Sequence, residues 1–260
     1  MQRGLFVLLG FVVMSSIAMT AETAQGREVL DLNGTWTICE AKGDGVPATA
    51  AFTRAVPVPG LVDLAKPAFP AVGTRDSREH RDVFWYRRTF KLERDVPKVA
   101  FLKLHKVKYG CRVCLNGVEI GKKARNFTPH YFDVQSALKG GGAENKLLIG
   151  VGADRRPSTA AGVPDGYDKE KSRYIPGIFD NVELILTGMP YIETVQVAPC
   201  PANSSILVQT SLSDLGRAES NVSYSFELIV REAQSGDVVA TAKEGTAKRP
   251  YSVMYAGKTR

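Results

Sequence analysis

The chain has 260 residues, 44% hydrophobic and 8% aromatic, and its 34 Lys and Arg outweigh 27 Asp and Glu for a net charge of +7. That composition excludes a disordered tail, and at roughly 100–200 residues per domain the length holds one or two domains. A complete (β/α)8 barrel is excluded too, since it takes about 250 residues of strands alternating with amphipathic helices and almost none of the text has helical periodicity.

Arg3 precedes the apolar run Leu5 to Met14, and the small residues Ser16-Ile17-Ala18 follow. This is the layout of a secretory signal peptide over residues 1–18, which predicts a secreted or periplasmic protein. The run is shorter than the roughly 18–20 apolar residues that cross a bilayer, so no membrane association is expected once it is removed. No Cys follows it closely, which argues against bacterial lipidation.

From Leu30 onward short alternating runs are separated by Gly, Pro, Asn and Asp, the pattern of an antiparallel all-β chain. Ala100, Leu102 and Leu104 share one parity, with Lys103 and His105 on the other. Cys111, Val113 and Leu115 repeat the pattern up to Asn116-Gly117, a two-residue hairpin signal leading into Val118-Glu119-Ile120. Leu147, Ile149 and Val151, then Val182, Leu184 and Leu186, supply further inward faces, and together these close a two-sheet sandwich over residues 28–188.

A boundary is predicted at Gly188-Met189-Pro190, after which fresh alternation begins. Val222, Tyr224, Phe226, Leu228 and Val230 share one face, and Gln234 to Asp237 turn the chain into Val238-Val239-Ala240. Residues 191–260 therefore read as an incomplete immunoglobulin-like sandwich of four or five strands, short of the usual seven in about 100 residues. The stretch from Tyr251 to Arg260 carries no strong strand pattern, and an edge is expected to need cover from another strand.

Cys39, Cys111, Cys114 and Cys200 are too few for a disulfide-built scaffold. Cys111 and Cys114 spell C-x-x-C, but on a strand positions three apart face opposite ways, so small buried core residues are expected and not a metal or redox pair. His80, His105 and His130 are scattered without ligand spacing, and no cofactor is expected. The basic residues lie beside acids or alternate with apolar residues, so a nucleic-acid partner is not expected. Asn-x-Ser/Thr sequons begin at Asn33, Asn126, Asn203 and Asn221 and matter only in a eukaryotic secretory route.

The order of motifs carries more information than any one of them. Asp31-Leu32-Asn33-Gly34-Thr35-Trp36 comes first, then Val56-Pro57-Val58-Pro59-Gly60 and Phe84-Trp85-Tyr86-Arg87-Arg88-Thr89-Phe90. After these stand Val113-Cys114-Leu115-Asn116-Gly117 with Ile120-Gly121, Phe127-Thr128-Pro129-His130-Tyr131-Phe132-Asp133-Val134, and Gly177-Ile178-Phe179-Asp180-Asn181-Val182-Glu183-Leu184. This series resembles the N-terminal region of glycoside hydrolase family 2, the β-galactosidase and β-glucuronidase group, over about residues 30–188. The resemblance implies a galactose-binding-like jelly roll, then the start of an immunoglobulin-like domain that carries a downstream catalytic barrel. In that family the acid/base and nucleophile Glu residues both belong to the barrel. A retaining pair stands about 5–5.5 Å apart, and no residue of this chain matches either position.

The resemblance also implies an Asp reaching the sugar pocket from just before the Gly-Ile-aromatic-Arg motif. Lys171 stands at that place here and Asp180 replaces the motif's Arg, so galactoside or glucuronide specificity does not transfer. The charged, hydroxyl-bearing loop around Tyr167, Asp168, Lys171 and Arg173 is a candidate to read a sugar, an anionic one included, or else is solvated. Trp85 and Tyr131 join Tyr167 as candidate stacking platforms, with core packing the competing expectation for Trp85.

The reading is an all-β carbohydrate-recognition and scaffold portion of an exported family 2 enzyme. Its expected partners are an oligo- or polysaccharide and a missing catalytic domain. One alternative is a fragment of a longer active retaining glycosidase; another is a non-catalytic β-sandwich adhesion or scaffold protein, since fold does not dictate function.

Overall fold

The structure is a computed structural model that describes residues 10–14, 26–43, 45–153, 172–216, 224–246 and 251–258. The chain divides into two compact units, one of residues 27–187 and one of residues 188–260 together with residues 1–26. The regular structure of the described residues is almost entirely strand, in chain order β1 (Gly10–Met14), β2 (Glu28–Asp31), β3 (Gly34–Ala41), β4 (Arg54–Val58), β5 (Gly60–Leu61) and β6 (Val83–Lys91). Next come β7 (Val99–Leu104), β8 (Val107–Lys108), β9 (Cys111–Leu115), β10 (Val118–Lys123), β11 (His130–Asp133) and β12 (Glu144–Gly152). The rest are β13 (Gly177–Ile178), β14 (Val182–Thr187), β15 (Tyr191–Cys200), β16 (Ser205–Ser213), β17 (Tyr224–Arg231), β18 (Val238–Thr246) and β19 (Tyr251–Lys258).

In the larger unit a six-stranded sheet, β10-β9-β12-β6-β3-β4, faces a four-stranded sheet, β11-β7-β14-β2, and β5-β13-β8 form a small third sheet. One apolar core lies between the two large sheets. Trp36, Ile38, Phe84, Tyr86, Val113 and Ile149 come from the first, and Leu102, Leu104, Phe132, Val182 and Leu184 from the second. The alternation follows from the pleat, since each inward residue is flanked by outward ones. The Asn116-Gly117 turn joins β9 to β10 with φ of 53° and 88°, as a tight hairpin of this kind demands. Asn116 also braces that end of the sheet, donating to the Ala137 carbonyl and to the Asn145 side chain at 2.8 Å each.

The segment between β5 and β6 is held down by Arg81, which is fully buried and ion-paired to Glu40 on β3. Its guanidinium donates to the Pro70 carbonyl at 2.9 Å and lies 5.2 Å from the Phe84 ring centroid. A buried cation needs this much compensation, because desolvation otherwise costs more than one ion pair returns.

The smaller unit has two three-stranded sheets, β15-β16-β19 and β1-β17-β18. Tyr224, Phe226, Leu228 and Val230 on β17 point inward and pack with Leu212 or with Ile206 and Val208 of β16. Two results differ from expectation. Residues 251–258, which carry only a weak alternation, form β19 along β16 from Ser205↔Lys258 to Leu212↔Tyr251. The edge of β17, where cover from another strand is expected, is paired with residues 10–14, which lie within the segment expected to be a signal peptide, antiparallel from Gly10↔Ile229 to Met14↔Ser225. In both cases cross-strand hydrogen bonding decides the conformation, and that information is not local.

All four cysteines are free thiols, three buried and Cys200 exposed. Cys111 faces the main core while Cys114 faces the opposite side of β9, so the C-x-x-C pair diverges. Burial pushes the Cys111 thiol up to about 12 and the Cys39 thiol up to about 11, and raises Cys114. At pH 8 a thiol-reactive dye should therefore modify one cysteine, Cys200, in the folded chain and all four in denaturant, read by absorbance and peptide mapping.

Candidate functional site

The candidate site is the end of the larger unit where β13 is zipped between two short strands. Gly177 and Ile178 pair with Leu61 and Gly60 of β5 on one side and with Lys108 and Val107 of β8 on the other. A side chain on Gly177 does not fit: its Cβ would lie 2.6 Å from the Gly60 carbonyl oxygen and 2.7 Å from the Leu61 Cα. Ile178 is fully buried, and beneath it lies the buried Tyr86 hydroxyl, whose pKa burial raises. The approach to β13 is tied as well, with Tyr174 N–H donating to the Gly73 carbonyl and Val62 N–H to the Pro176 carbonyl, each at 3.0 Å.

After β13 the chain turns outward through Phe179 and Asp180. The Asp180 carboxylate accepts from Lys106 Nζ at 2.9 Å and from the Asn181 N–H at 2.8 Å. Both, Lys106 first, hold its carboxyl below the usual carboxylate range. Phe179 lies edge-on to Phe127 with centroids 6.2 Å apart, and the Lys108 ammonium stands 5.6 Å from the Phe179 centroid. Beside this turn, Glu183 is 2.8 Å from His105 Nε2 and 3.7 Å from Lys103 Nζ.

The sequence candidates are dispersed. Arg173 is exposed one residue before Tyr174, at the entrance to β13, while Tyr167, Asp168 and Lys171 lie outside the described residues. Trp85 is corrected: at 1% exposure it presents no face to a sugar. It points to the outer side of the six-stranded sheet but is covered there by Phe52, Cys39, Cys114 and Leu148, with the Arg112 guanidinium 5.6 Å from its ring. Tyr131 is half exposed on the outer side of the other large sheet, its ring beside Phe101 and the Lys103 ammonium. The two aromatics thus stand on opposite faces of the sandwich.

Phe127, Phe179 and the Lys106–Asp180 pair were not singled out from the sequence as a group. The available signal was an aromatic before Thr128-Pro129 in a loop, beside the Gly177 motif that folds next to it. Among the described residues no three His, Cys, Asp or Glu side chains gather as metal ligands.

Residues 52–169 match the family model described as the glycosyl hydrolase 2 galactose-binding domain-like family. A β-glucuronidase of Formosa agariphila is 35% identical over 81 residues, which is 31% of this chain and 8% of that protein. Among solved structures, a glycosyl hydrolase family 2 member from Bacteroides cellulosilyticus superposes with a TM-score of 0.65 at 15% identity, over 88% of this chain and 31% of its own. A Bifidobacterium dentium β-glucuronidase gives 0.63 at 18% identity over 94% and 43%, and a Dictyoglomus thermophilum β-D-mannosidase 0.61 at 18% over 88% and 30%. The chain spans less than half the length of each of these proteins. Over residues 52–169, somewhat under half of its length, it is similar to the galactose-binding-like domain of glycosyl hydrolase family 2.

Two outcomes test the site's construction. Gly177→Ala should lower stability by about 1–3 kcal/mol through overpacking against β5, seen as a reduced urea midpoint with unchanged m. His130, whose Nε2 meets the Arg125 carbonyl at 2.6 Å, has its pKa lowered by burial. The unfolded state therefore binds the proton first, so its contribution is intact above the ordinary histidine pKa and is lost as pH falls below it. His130→Gln should flatten that acid-side decline in a denaturation series from pH 7 to pH 5.

Proposed function

We propose that the chain is the carbohydrate-recognition and scaffold portion of an exported family 2 glycosidase, with hydrolysis performed by a barrel that is not part of this chain. The observation that carries this reading is the match to a galactose-binding-like family over residues 52–169, within a fold that takes in 88% or more of this chain but only 27–45% of the solved enzymes' chains. Sugar contact is assigned to the end of the sandwich at β13, where exposed Arg173 follows the segment bearing Tyr167, Asp168 and Lys171. Tyr131 offers a separate aromatic surface.

The carboxylates of this end are employed otherwise than in hydrolysis. A retaining glycosidase needs one carboxyl kept protonated to serve as acid. Asp180 is displaced the opposite way by Lys106, and Glu183 stands 2.8 Å from His105 Nε2 and 3.7 Å from Lys103 Nζ. Export is assigned from Arg3, the Leu5–Met14 run and Ser16 to Ala18. Among the described residues no helix is long and apolar enough to cross a membrane.

Purified chain incubated with 4-nitrophenyl β-glucuronide, β-galactoside and β-mannoside should release no nitrophenol above the buffer blank. Turnover near an ordinary enzyme rate of ~10 s⁻¹ would overturn the reading.

A further inference from the structure

The loop between β10 and β11 is clamped on both sides of one exposed ring. Asn126 is buried, and its Oδ1 accepts the Gly110 N–H at 3.0 Å. His130 Nε2 holds the Arg125 carbonyl at 2.6 Å. Between these anchors Phe127 is 42% exposed, and Tyr131 is the other aromatic with a large exposed surface among the residues whose burial is described. The Tyr131 ring has the Lys103 ammonium 5.7 Å from its centroid, whereas Phe127 packs with Phe179 in a T-shaped pair and leaves 42% of its surface exposed. Next to Phe179 stands the Lys106–Asp180 pair at 2.9 Å.

Resting on the carbohydrate reading above, we propose that Phe127 and the Lys106–Asp180 pair form a subsite for a neutral pyranose unit of a glycan chain. The apolar C–H face of the sugar stacks on the Phe127 ring, and its hydroxyls hydrogen-bond to the ion pair beside Phe179. A ring and a paired acid and base suit this chemistry. Lys106 is paired with Asp180, so the pair offers a hydroxyl one donor and one acceptor and itself brings no net charge to the subsite. The anchors at Asn126 and His130 fix the platform before binding, which removes an ordering cost that a floppy loop would impose.

The test is titration of isotope-labelled full chain with cellotetraose, xylotetraose, mannotetraose, galactotetraose and tetragalacturonate, followed by backbone NMR. At least one neutral tetrasaccharide should shift the signals of Phe127, Phe179 and Asp180. Phe127→Ala should weaken that binding about tenfold, while Phe127→Trp, which keeps a stacking ring, should hold it within about threefold. Unchanged thermal unfolding of both variants separates loss of the platform from loss of the fold. Binding that shifts other residues and ignores Phe127→Ala overturns this subsite but leaves the carbohydrate reading standing. Binding of tetragalacturonate alone at these residues overturns the neutral class. Silence with every tetrasaccharide overturns the subsite and the recognition role together.

Discussion

The larger unit depends on a join between its first strand and its last. β2 pairs antiparallel with β14 from Glu28↔Leu186 to Asp31↔Glu183, and Leu32 N–H continues the ladder to the Val182 carbonyl at 2.9 Å. Asn33 then locks the corner: its Oδ1 accepts the Val182 N–H at 3.0 Å and its amide donates to Asn181 Oδ1 at 2.9 Å. Trp36, on β3 and buried in the core, donates its indole N–H to the Leu32 carbonyl at 2.9 Å. The motif that begins the sandwich and the motif that ends it are one structural unit, about 150 residues apart along the chain. The Asn33 amide supplies both an acceptor and a donor to this part-buried corner, two roles that a hydroxyl or a carboxylate fills less well.

That join places the candidate site. Asn181 serves the Asn33 clasp through its side chain and accepts the His105 N–H at its carbonyl, so the turn carrying Phe179 and Asp180 is fixed from the side of the four-stranded sheet. From the other side β5 fixes Gly177, and the segment leading out of β5 is in turn held to the six-stranded sheet by buried Arg81 and its partner Glu40. A recognition surface built on turns is as precise as the elements that end in them. Here three sheets end together at β13.

Much of this architecture was legible in the residues. The alternation of Ala100, Leu102 and Leu104 and of Val182, Leu184 and Leu186 reads directly as two adjacent inward faces, and those strands do pair. Asn116-Gly117 marks its hairpin because only a few residue types accept two successive positive φ values. Parity failed to settle Trp85, since it tells which side of a sheet a residue takes but not whether that side is covered. Phe52 and the Arg112 guanidinium, both remote in the chain, cover it. Strand β19 was faint for a related reason: Tyr251 to Lys258 become a strand by bonding to β16, a partner 39 residues earlier at the nearer end, Leu212↔Tyr251. Phe127 and Asp180 became neighbours in meaning only when the fold set Phe127 against Phe179.

The pairing of β2 with β14 sets the two ends of the larger unit side by side, with Glu28 opposite Leu186. Chain continuity between the ends is consequently a matter of a few residues of linker, and the polypeptide can be relinked there and opened between the exposed Gly117 and Val118, which leaves the Asn116 brace and the core in place. Adjacent ends also make the unit easy to graft. Such a module occupies little room at the seam with its host, so a gene can lose, gain or reorder it with small disturbance to whatever it adjoins.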